Sequence, residues 1–235
     1  MTLFYTPDIE PNHPQYFLSE EESKHAIRVL RLQQGDEVQL IDGRGGLYTA
    51  QIKDPHPKRT ILQITSVTTG YNKRNHYLHI AVAPTKNIER LEWFLEKATE
   101  IGIDEISLII CQRSERKEAK VDRLDKIITS AIKQSLKAYH PVLNPVQSLD
   151  SLLARPFDGQ KFIAHCDEGD KVSLKETLIP QGNYLILIGP EGDFSPKEID
   201  AALHNGFKAI TLGESRLRTE TAALQACFEV NFLNR

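Results

Sequence analysis

Two loops in the last third of the chain carry the residue types best suited to chemistry. The first, Gly-Pro-Glu-Gly at residues 189–192, follows a continuous apolar run at residues 184–188. The second, at residues 213–218, contains one glycine and two arginines and follows another short apolar segment, residues 208–212. Such short apolar runs predict strands buried on both faces. Because parallel strands deliver their following loops to one edge of a sheet, we expect the two loops to form a ligand site together.

The residues after the first loop predict a helix that would hold it in place. Ser195 is the predicted N-cap, Pro196 takes the first helical position, and Glu198 completes a capping box. The predicted helix spans residues 196–205. Gly206 can end it in the left-handed conformation.

Each glycine taken alone is consistent with an ordinary strand-to-helix turn. A structural turn, however, needs neither a glutamate between its glycines nor two arginines followed by Thr-Glu-Thr-Ala. These additional residues favour a ligand-binding site over a purely structural turn. The predicted strand near residue 80 is followed by residues 83–87, which lack glycine, and no G-x-x-x-x-G-K-[ST] occurs. The common nucleotide-binding loops are therefore not predicted.

The blocks GPEGDFS and LGESRLRTETA resemble the signature of the RsmE family of ribosomal RNA methyltransferases, in the SPOUT superfamily. Asp193 stands where that family usually has a third glycine. The resemblance implies an α/β protein with a C-terminal SPOUT-like parallel sheet and trefoil knot, plus a small N-terminal PUA-like β-barrel domain. It also implies methyl transfer from S-adenosylmethionine to N3 of a uridine in 16S ribosomal RNA of the small subunit.

The same resemblance implies which residues bind the cofactor. Glycine permits a ligand to approach the backbone of both loops closely. The implied cofactor-binding residues are Leu187, Gly189, Pro190, Glu191, Gly192, Leu212, Gly213, Leu217 and Thr219. Residues 165–169, after the preceding predicted strand, form a third loop at this edge and are expected to border the pocket.

Methylation of N3 requires that its proton be removed while the uracil becomes anionic. Arg218, in the LRTETA run, is the candidate cation for stabilising that anion. Glu191 and Glu220 are candidate bases, and the base stays open because Glu220 would also stabilise a helix N-terminus. Thr219 is the predicted N-cap of the last helix, which begins at Glu220.

Residues 1–72 predict a compact domain of one helix and several short strands with glycine turns. Ser19 and Glu22 predict a capping box for that helix. The runs HAIRVLRLQQGD and IDGRGGLY resemble the PUA-like RNA-binding domain of the same family.

Basic residues in this domain are candidates for RNA binding. Lys24, Arg28 and Arg31 have spacings of four and three, which predict one helical face. Arg44 lies in the glycine turn. We expect these cations to contact phosphates, supplying affinity more than specificity. A solvated helix face is the alternative explanation.

The segment AIKQSLKAYHP, residues 131–141, resembles a further family motif, A-x-E-Q-S-x-R-x-x-x-P. Lys133 replaces the usual glutamate and Lys137 the usual arginine. Gln134 and Lys137 are therefore candidate RNA-binding residues. Packing or capping near the end of a helix explains Gln134 equally well.

Residues 73–235 alternate predicted strands with predicted helices, which favours a largely parallel sheet. The resemblance assigns them to a SPOUT methyltransferase domain that forms a homodimer. The last helix, with Phe228 and Phe232, could lie at the dimer interface or pack within its own subunit.

Composition sets bounds on this interpretation. The 235 residues have a net charge of −3, so RNA contacts must come from local basic patches. The three cysteines show neither metal-ligand spacing nor a disulfide framework, and no metal site is predicted. No secretion signal or membrane span is predicted, which suits the cytoplasm. The competing hypothesis is a non-catalytic RNA-binding or ribosome-assembly protein that keeps the fold.

Overall fold

The computed structural model describes residues 2–235, which form two compact units. The first unit contains the residues up to Lys73 together with Ile132–His140, and the second contains Arg74–Ala131 together with Pro141–Arg235. The first division falls one residue beyond the predicted boundary. The return of residues 132–140 to the first unit was not predicted.

The first unit is built on a five-stranded sheet with the order β1-β3-β4-β5-β2. Its strands are β1 (Leu3–Tyr5), β2 (Gln15–Phe17), β3 (Glu37–Ile41), β4 (Leu47–Asp54) and β5 (Ile61–Thr68). The β1–β3 pair is parallel and the other pairs are antiparallel. Phe4, Tyr48 and Leu62 are fully buried in its core. Strands β1, β3, β4 and β5 were predicted from the sequence, whereas β2 was not.

The helical segment of the first unit differs from the regular helix that the spacing predicts. Helix α1 (Glu20–Lys24) continues as a π-helix over His25–Val29, in which the Leu30 amide donates to the His25 carbonyl. Arg31 lies beyond the helix, with φ +57°. The wider turn and the left-handed residue change the direction of successive side chains. The prediction that Lys24, Arg28 and Arg31 share one regular helical face was therefore wrong, although all three are exposed.

The predicted capping box of α1 forms only in part. The Ser19 hydroxyl accepts a hydrogen bond from the Glu22 amide at 3.2 Å. The Glu22 carboxylate does not accept a hydrogen bond from the Ser19 amide, because it accepts one from Nζ of Lys133 at 2.8 Å. Lys133 thus has a structural partner within the first unit, which accounts for a lysine at this position.

Residues 132–140 belong to the first unit because they pack against its sheet and its glycine turn. Ile132 and Ala138 are buried with Leu3. A Cβ atom on Gly45 would lie 2.4 Å from the Tyr139 ring, and Gly45 has φ +98°. Only glycine fits this turn without displacing the aromatic ring.

The second unit contains a seven-stranded sheet in which every pair of neighbours is parallel. Its order is β10-β12-β9-β11-β6-β7-β8. The strands are β6 (Tyr77–Val82), β7 (Glu105–Ile110), β8 (Val142–Ser148), β9 (Gln160–Ala164), β10 (Val172–Ser173), β11 (Asn183–Ile188) and β12 (Lys208–Thr211). The parallel arrangement confirms the prediction from alternating strands and helices, while β8 and β10 were not predicted.

Helices cover both faces of this sheet. They are α2 (Ile88–Ile101), α3 (Val121–Ser135), α4 (Leu149–Leu153), α5 (Leu174–Thr177), α6 (Pro196–His204) and α7 (Thr219–Leu233). Ile186 of β11 faces the layer that contains α2 and α7, and Leu187 faces the layer that contains α4 and α6. The apolar run before the first loop is therefore buried on both faces, as predicted. The trefoil knot remains a prediction, and no helix within residues 2–235 combines the length and apolar character needed to cross a membrane.

Candidate functional site

A cleft of about 790 Å³ lies at the carboxyl ends of β9, β11 and β12. The residues that line it are Arg113, residues 164–167, Lys171, residues 188–193, residues 210–219 and Ala222. Both sequence motifs therefore contribute to one cavity. The prediction that parallel strands bring these loops to the same edge is confirmed.

The first loop packs against a buried aromatic ring and leads directly into α6. Phe194 is fully buried, and a Cβ atom on Gly189 would lie only 3.0 Å from its Cδ2 atom. Ser195 and Glu198 form the predicted capping box of α6. Glycine at position 189 thus lets the backbone rest directly on the ring, and the capped helix fixes the direction in which the loop leaves.

The second loop is attached to the first by a buried hydrogen bond. The hydroxyl of Thr219 donates to the Gly189 carbonyl at 3.0 Å. Thr219 is already helical, and the N-cap of α7 is Arg218, whose φ of −76° and ψ of 158° are extended. The prediction that Thr219 caps this helix was wrong, because its hydroxyl bonds to the neighbouring loop instead.

Arg218 lines the cleft, and its side chain is exposed. Within residues 2–235, no protein group forms a hydrogen bond or ion pair with its guanidinium. Its carbonyl accepts a hydrogen bond from the Ala222 amide at 2.8 Å, which ties its backbone to α7 while its charge remains available to a ligand. This arrangement suits a group that binds a developing anion.

Glu191 lines the cleft and holds a neighbouring loop. Its Oε1 accepts a hydrogen bond from the Lys86 amide at 2.8 Å. The residues after β6 are thereby tied to the first motif. One carboxylate oxygen of Glu191 accepts this hydrogen bond. The role of Glu191 as a base stays a prediction.

The third loop, which we define as residues 165–169, begins where β9 ends, and His165, Cys166 and Asp167 of this loop line the cleft. Nδ1 of His165 is buried and has no hydrogen-bond partner in the described protein. Burial and, to a smaller degree, the Lys171 ammonium lower the pKa of His165 below its ordinary value. The imidazole is therefore held neutral near pH 7. The prediction that this loop borders the pocket is confirmed.

Comparison with known proteins agrees with this geometry. The RNA methyltransferase domain family matches residues 72–231, and the RNA methyltransferase PUA domain family matches residues 18–65. The chain belongs to the ribosomal RNA small subunit methyltransferase E family. A relative of that name from Mesomycoplasma hyopneumoniae is 31% identical over 72% of this chain and 75% of its own.

Two solved structures are similar over the whole chain. A probable rRNA-methyltransferase from Porphyromonas gingivalis has a TM-score of 0.92 at 41% identity, covering 100% of this chain and 98% of its own. A ribosomal RNA small subunit methyltransferase E from Neisseria gonorrhoeae, bound to S-adenosyl methionine, has a TM-score of 0.89 at 26% identity and the same coverage. The family assignment therefore covers both units.

The structure of this family member separates the predicted site residues into three groups. Most of the predicted cofactor-binding residues line the cleft: Gly189, Pro190, Glu191, Gly192, Leu212, Gly213, Leu217 and Thr219. Leu187 does not, because its side chain is fully buried in the core. The predicted RNA-binding residues belong to the first unit: Lys24, Arg28, Arg31, Arg44, Gln134 and Lys137.

Two candidate residues, Glu220 and Arg44, have partners within the protein. Glu220 is buried in the first turn of α7, with Oε1 at 3.8 Å from Nε of Arg90. The Arg44 guanidinium donates to the carbonyls of Pro7 and Ile9, at 2.6 and 2.8 Å. The Arg44 hydrogen bonds use part of the donor capacity of its guanidinium, whereas the Glu220–Arg90 contact is an ion pair too long for a hydrogen bond.

Arg113 was missed by sequence reasoning. Its Nη1 donates to the carbonyls of Gly192 and Phe194, at 3.0 and 3.2 Å, and its side chain lines the cleft. Arg113 follows β7 by three residues. The rule that loops after parallel strands meet at one edge would have indicated it, had it been applied to β7 as well.

Proposed function

We propose that this protein is an S-adenosylmethionine-dependent methyltransferase that methylates N3 of a uridine in 16S ribosomal RNA, acting in the cytoplasm on the small ribosomal subunit. The observation that carries the proposal is the cleft at the carboxyl ends of β9, β11 and β12, where both family motifs meet around an exposed arginine. The family assignment adds the class of reaction.

The residues of the cleft fit S-adenosylmethionine in size and chemistry. The cleft has a volume of about 790 Å³, which lies within the range of small-molecule sites. Ile188, Leu212 and Leu217 supply apolar surface for a nucleoside, and Asp193 supplies negative charge for a cationic ligand. When bound, S-adenosylmethionine supplies an electrophilic methyl group.

The protein's own contribution to the reaction is to position the base and to stabilise its negative charge. Uracil N3 carries a proton at neutral pH and lies on the pairing edge, so the target nucleotide must be unpaired or flipped out. As the proton leaves, charge develops on the uracil oxygens. We assign the stabilisation of that charge to the Arg218 guanidinium, because a cation beside a developing anion lowers the barrier.

RNA binding is assigned to the exposed cations of the first unit. Replacing Arg28 and Arg31 by alanine together should weaken binding and reduce the slope of log affinity against log salt by about 1.4–1.8, because each phosphate contact contributes roughly 0.7–0.9. The measurement is a salt titration with a small-subunit RNA fragment. Exchange of the exposed Lys58 and Arg59 for alanine removes the same charge elsewhere in the unit and is the control. An unchanged slope in the first variant would exclude phosphate contacts by these arginines.

A homodimer forms part of the proposal, and exposed aromatic side chains support it. On α7, Phe228 and Phe232 are 48% and 57% exposed, with ring centroids 6.0 Å apart. Trp93, on α2, is 43% exposed. In a monomer these apolar rings stay in contact with water, which is unfavourable. A second copy of the chain would bury them.

Sedimentation tests the dimer directly. Phe228→Ser combined with Phe232→Ser should shift the protein from dimer to monomer at micromolar concentration. Ile179→Ser, which changes another exposed apolar residue, should not. A wild-type protein that sediments as a monomer would contradict the proposed dimer.

The first experiment for the proposed function is calorimetric titration with S-adenosylmethionine, with ATP and NADH as controls. We expect selective binding, followed by methylation of small subunits that lack the modification, detected at the uridine by mass spectrometry. If S-adenosylmethionine does not bind even when small subunits are present, the protein is a non-catalytic RNA-binding member of the family.

A further inference from the structure

Asp193 adopts a backbone conformation that few residues with a side chain accept. Its φ is +62°, in the left-handed region. Its amide donates to the Pro190 carbonyl at 2.9 Å, which closes the turn of the first loop. Glycine takes this conformation without strain, and aspartate and asparagine are among the few other residues that tolerate it. An aspartate at such a position therefore calls for a compensating role of its side chain.

The carboxylate of Asp193 bonds to the backbone of two different loops. Oδ1 accepts a hydrogen bond from the Phe194 amide at 2.8 Å, beside the first motif. Oδ2 accepts one from the Cys166 amide at 2.7 Å, in the third loop. One carboxylate thus joins segments that lie 27 residues apart in the chain.

The third loop has little other support from its surroundings. Cys166, Asp167 and the two residues after them are exposed. The Lys171 ammonium donates to the carbonyls of His165 and Asp167, at 3.2 and 2.7 Å, but Lys171 lies just beyond the same loop in the chain. Within residues 2–235, Asp193 is the side chain that connects this loop to the motif loop after the neighbouring strand β11.

We propose that Asp193 is a positioning residue that clamps the third loop against the first motif and thereby sets the affinity of the cleft for S-adenosylmethionine. The affinity part of this inference rests on the proposed function, whereas the clamp does not. With the clamp in place, His165 and Cys166 form a fixed wall of the cleft. Without it, the loop must be ordered when the ligand binds, and the loss of its freedom weakens binding.

Two variants distinguish the effect of the backbone conformation at residue 193 from the effect of the Asp193 side-chain hydrogen bonds. Asp193→Gly keeps the left-handed conformation and removes both hydrogen bonds. Asp193→Asn also tolerates that conformation and keeps one acceptor oxygen, so it should give an intermediate effect. Asp200→Asn makes the same change of charge on the exposed face of α6 and is the control.

Hydrogen exchange of the Cys166 amide measures the clamp without any ligand. We expect Asp193→Gly to raise its exchange rate at least about tenfold, because a hydrogen bond to a charged group is among the stronger ones. The dissociation constant for S-adenosylmethionine, measured by calorimetry, should rise about tenfold.

The outcomes are distinguishable. Unchanged exchange at Cys166 in Asp193→Gly would overturn the clamp. Faster exchange with an unchanged dissociation constant would overturn its effect on affinity. A wild-type protein that binds no S-adenosylmethionine would refute the proposed function and the affinity effect together, while the exchange rates would still decide whether Asp193 holds the loop.

Discussion

Arg218→Ala should lower the rate of methyl transfer at saturating substrate by about a hundredfold to a thousandfold, as removal of one stabilising donor from a catalytic site commonly does. Arg218 is exposed in the cleft and has no partner within residues 2–235, so its loss leaves no buried group unsatisfied. The fold and the affinity for S-adenosylmethionine should therefore be retained. Single-turnover kinetics with unmodified small subunits measures the effect.

Two further variants define what Arg218 contributes. Arg218→Lys keeps the positive charge but loses the planar guanidinium, and we expect an intermediate rate. Arg216→Ala removes the same charge from the same loop, and its effect should be smaller. Wild-type turnover in Arg218→Ala would exclude the role assigned to this residue.

Phe194→Ala should lower the free energy of unfolding by about 3–5 kcal/mol, the usual loss when a buried aromatic ring is deleted from a core. Phe194 is fully buried and lies directly beneath Gly189. The cavity left by its ring would remove the support of the first motif loop. We therefore expect the folded variant to bind S-adenosylmethionine much more weakly. Urea unfolding and calorimetry measure the two effects.

Phe207→Ala is the matched control for this prediction. Phe207 is buried in the same apolar layer, whereas the atoms nearest to a Cβ on Gly189 all belong to Phe194. Its deletion should cause a comparable loss of stability while the folded protein keeps its affinity. If both variants bind S-adenosylmethionine as the wild type does, the ring of Phe194 does not support the cofactor site.

The three cysteines differ in their surroundings. Cys111, Cys166 and Cys227 are free thiols. Burial raises the pKa of Cys111 to about 12, so this thiol is unreactive at neutral pH.

The sequence by itself determined the parts of this protein that depend on local periodicity and on capping chemistry. The apolar run of β11 predicted a strand buried on both faces, and Ser195, Pro196 and Glu198 predicted the start of α6. The two motif loops were expected at one edge of the sheet, and they line one cleft. The strand and the helix start could be predicted because each depends on residues a few positions apart, and the shared edge follows from the parallel arrangement of the strands.

Tertiary structure alone decided the features that depend on partners far away in the chain. Thr219 bonds to Gly189 rather than capping its helix, and Glu22 bonds to Lys133 rather than completing a capping box. Asp193 accepts a hydrogen bond from Cys166, in the loop after the neighbouring strand β9. For Thr219 and Glu22 a local pattern predicted one partner, and the folded chain supplied another. Hydrogen bonds of similar strength compete for the same group, and the packing of the sheet decides which atoms come within reach.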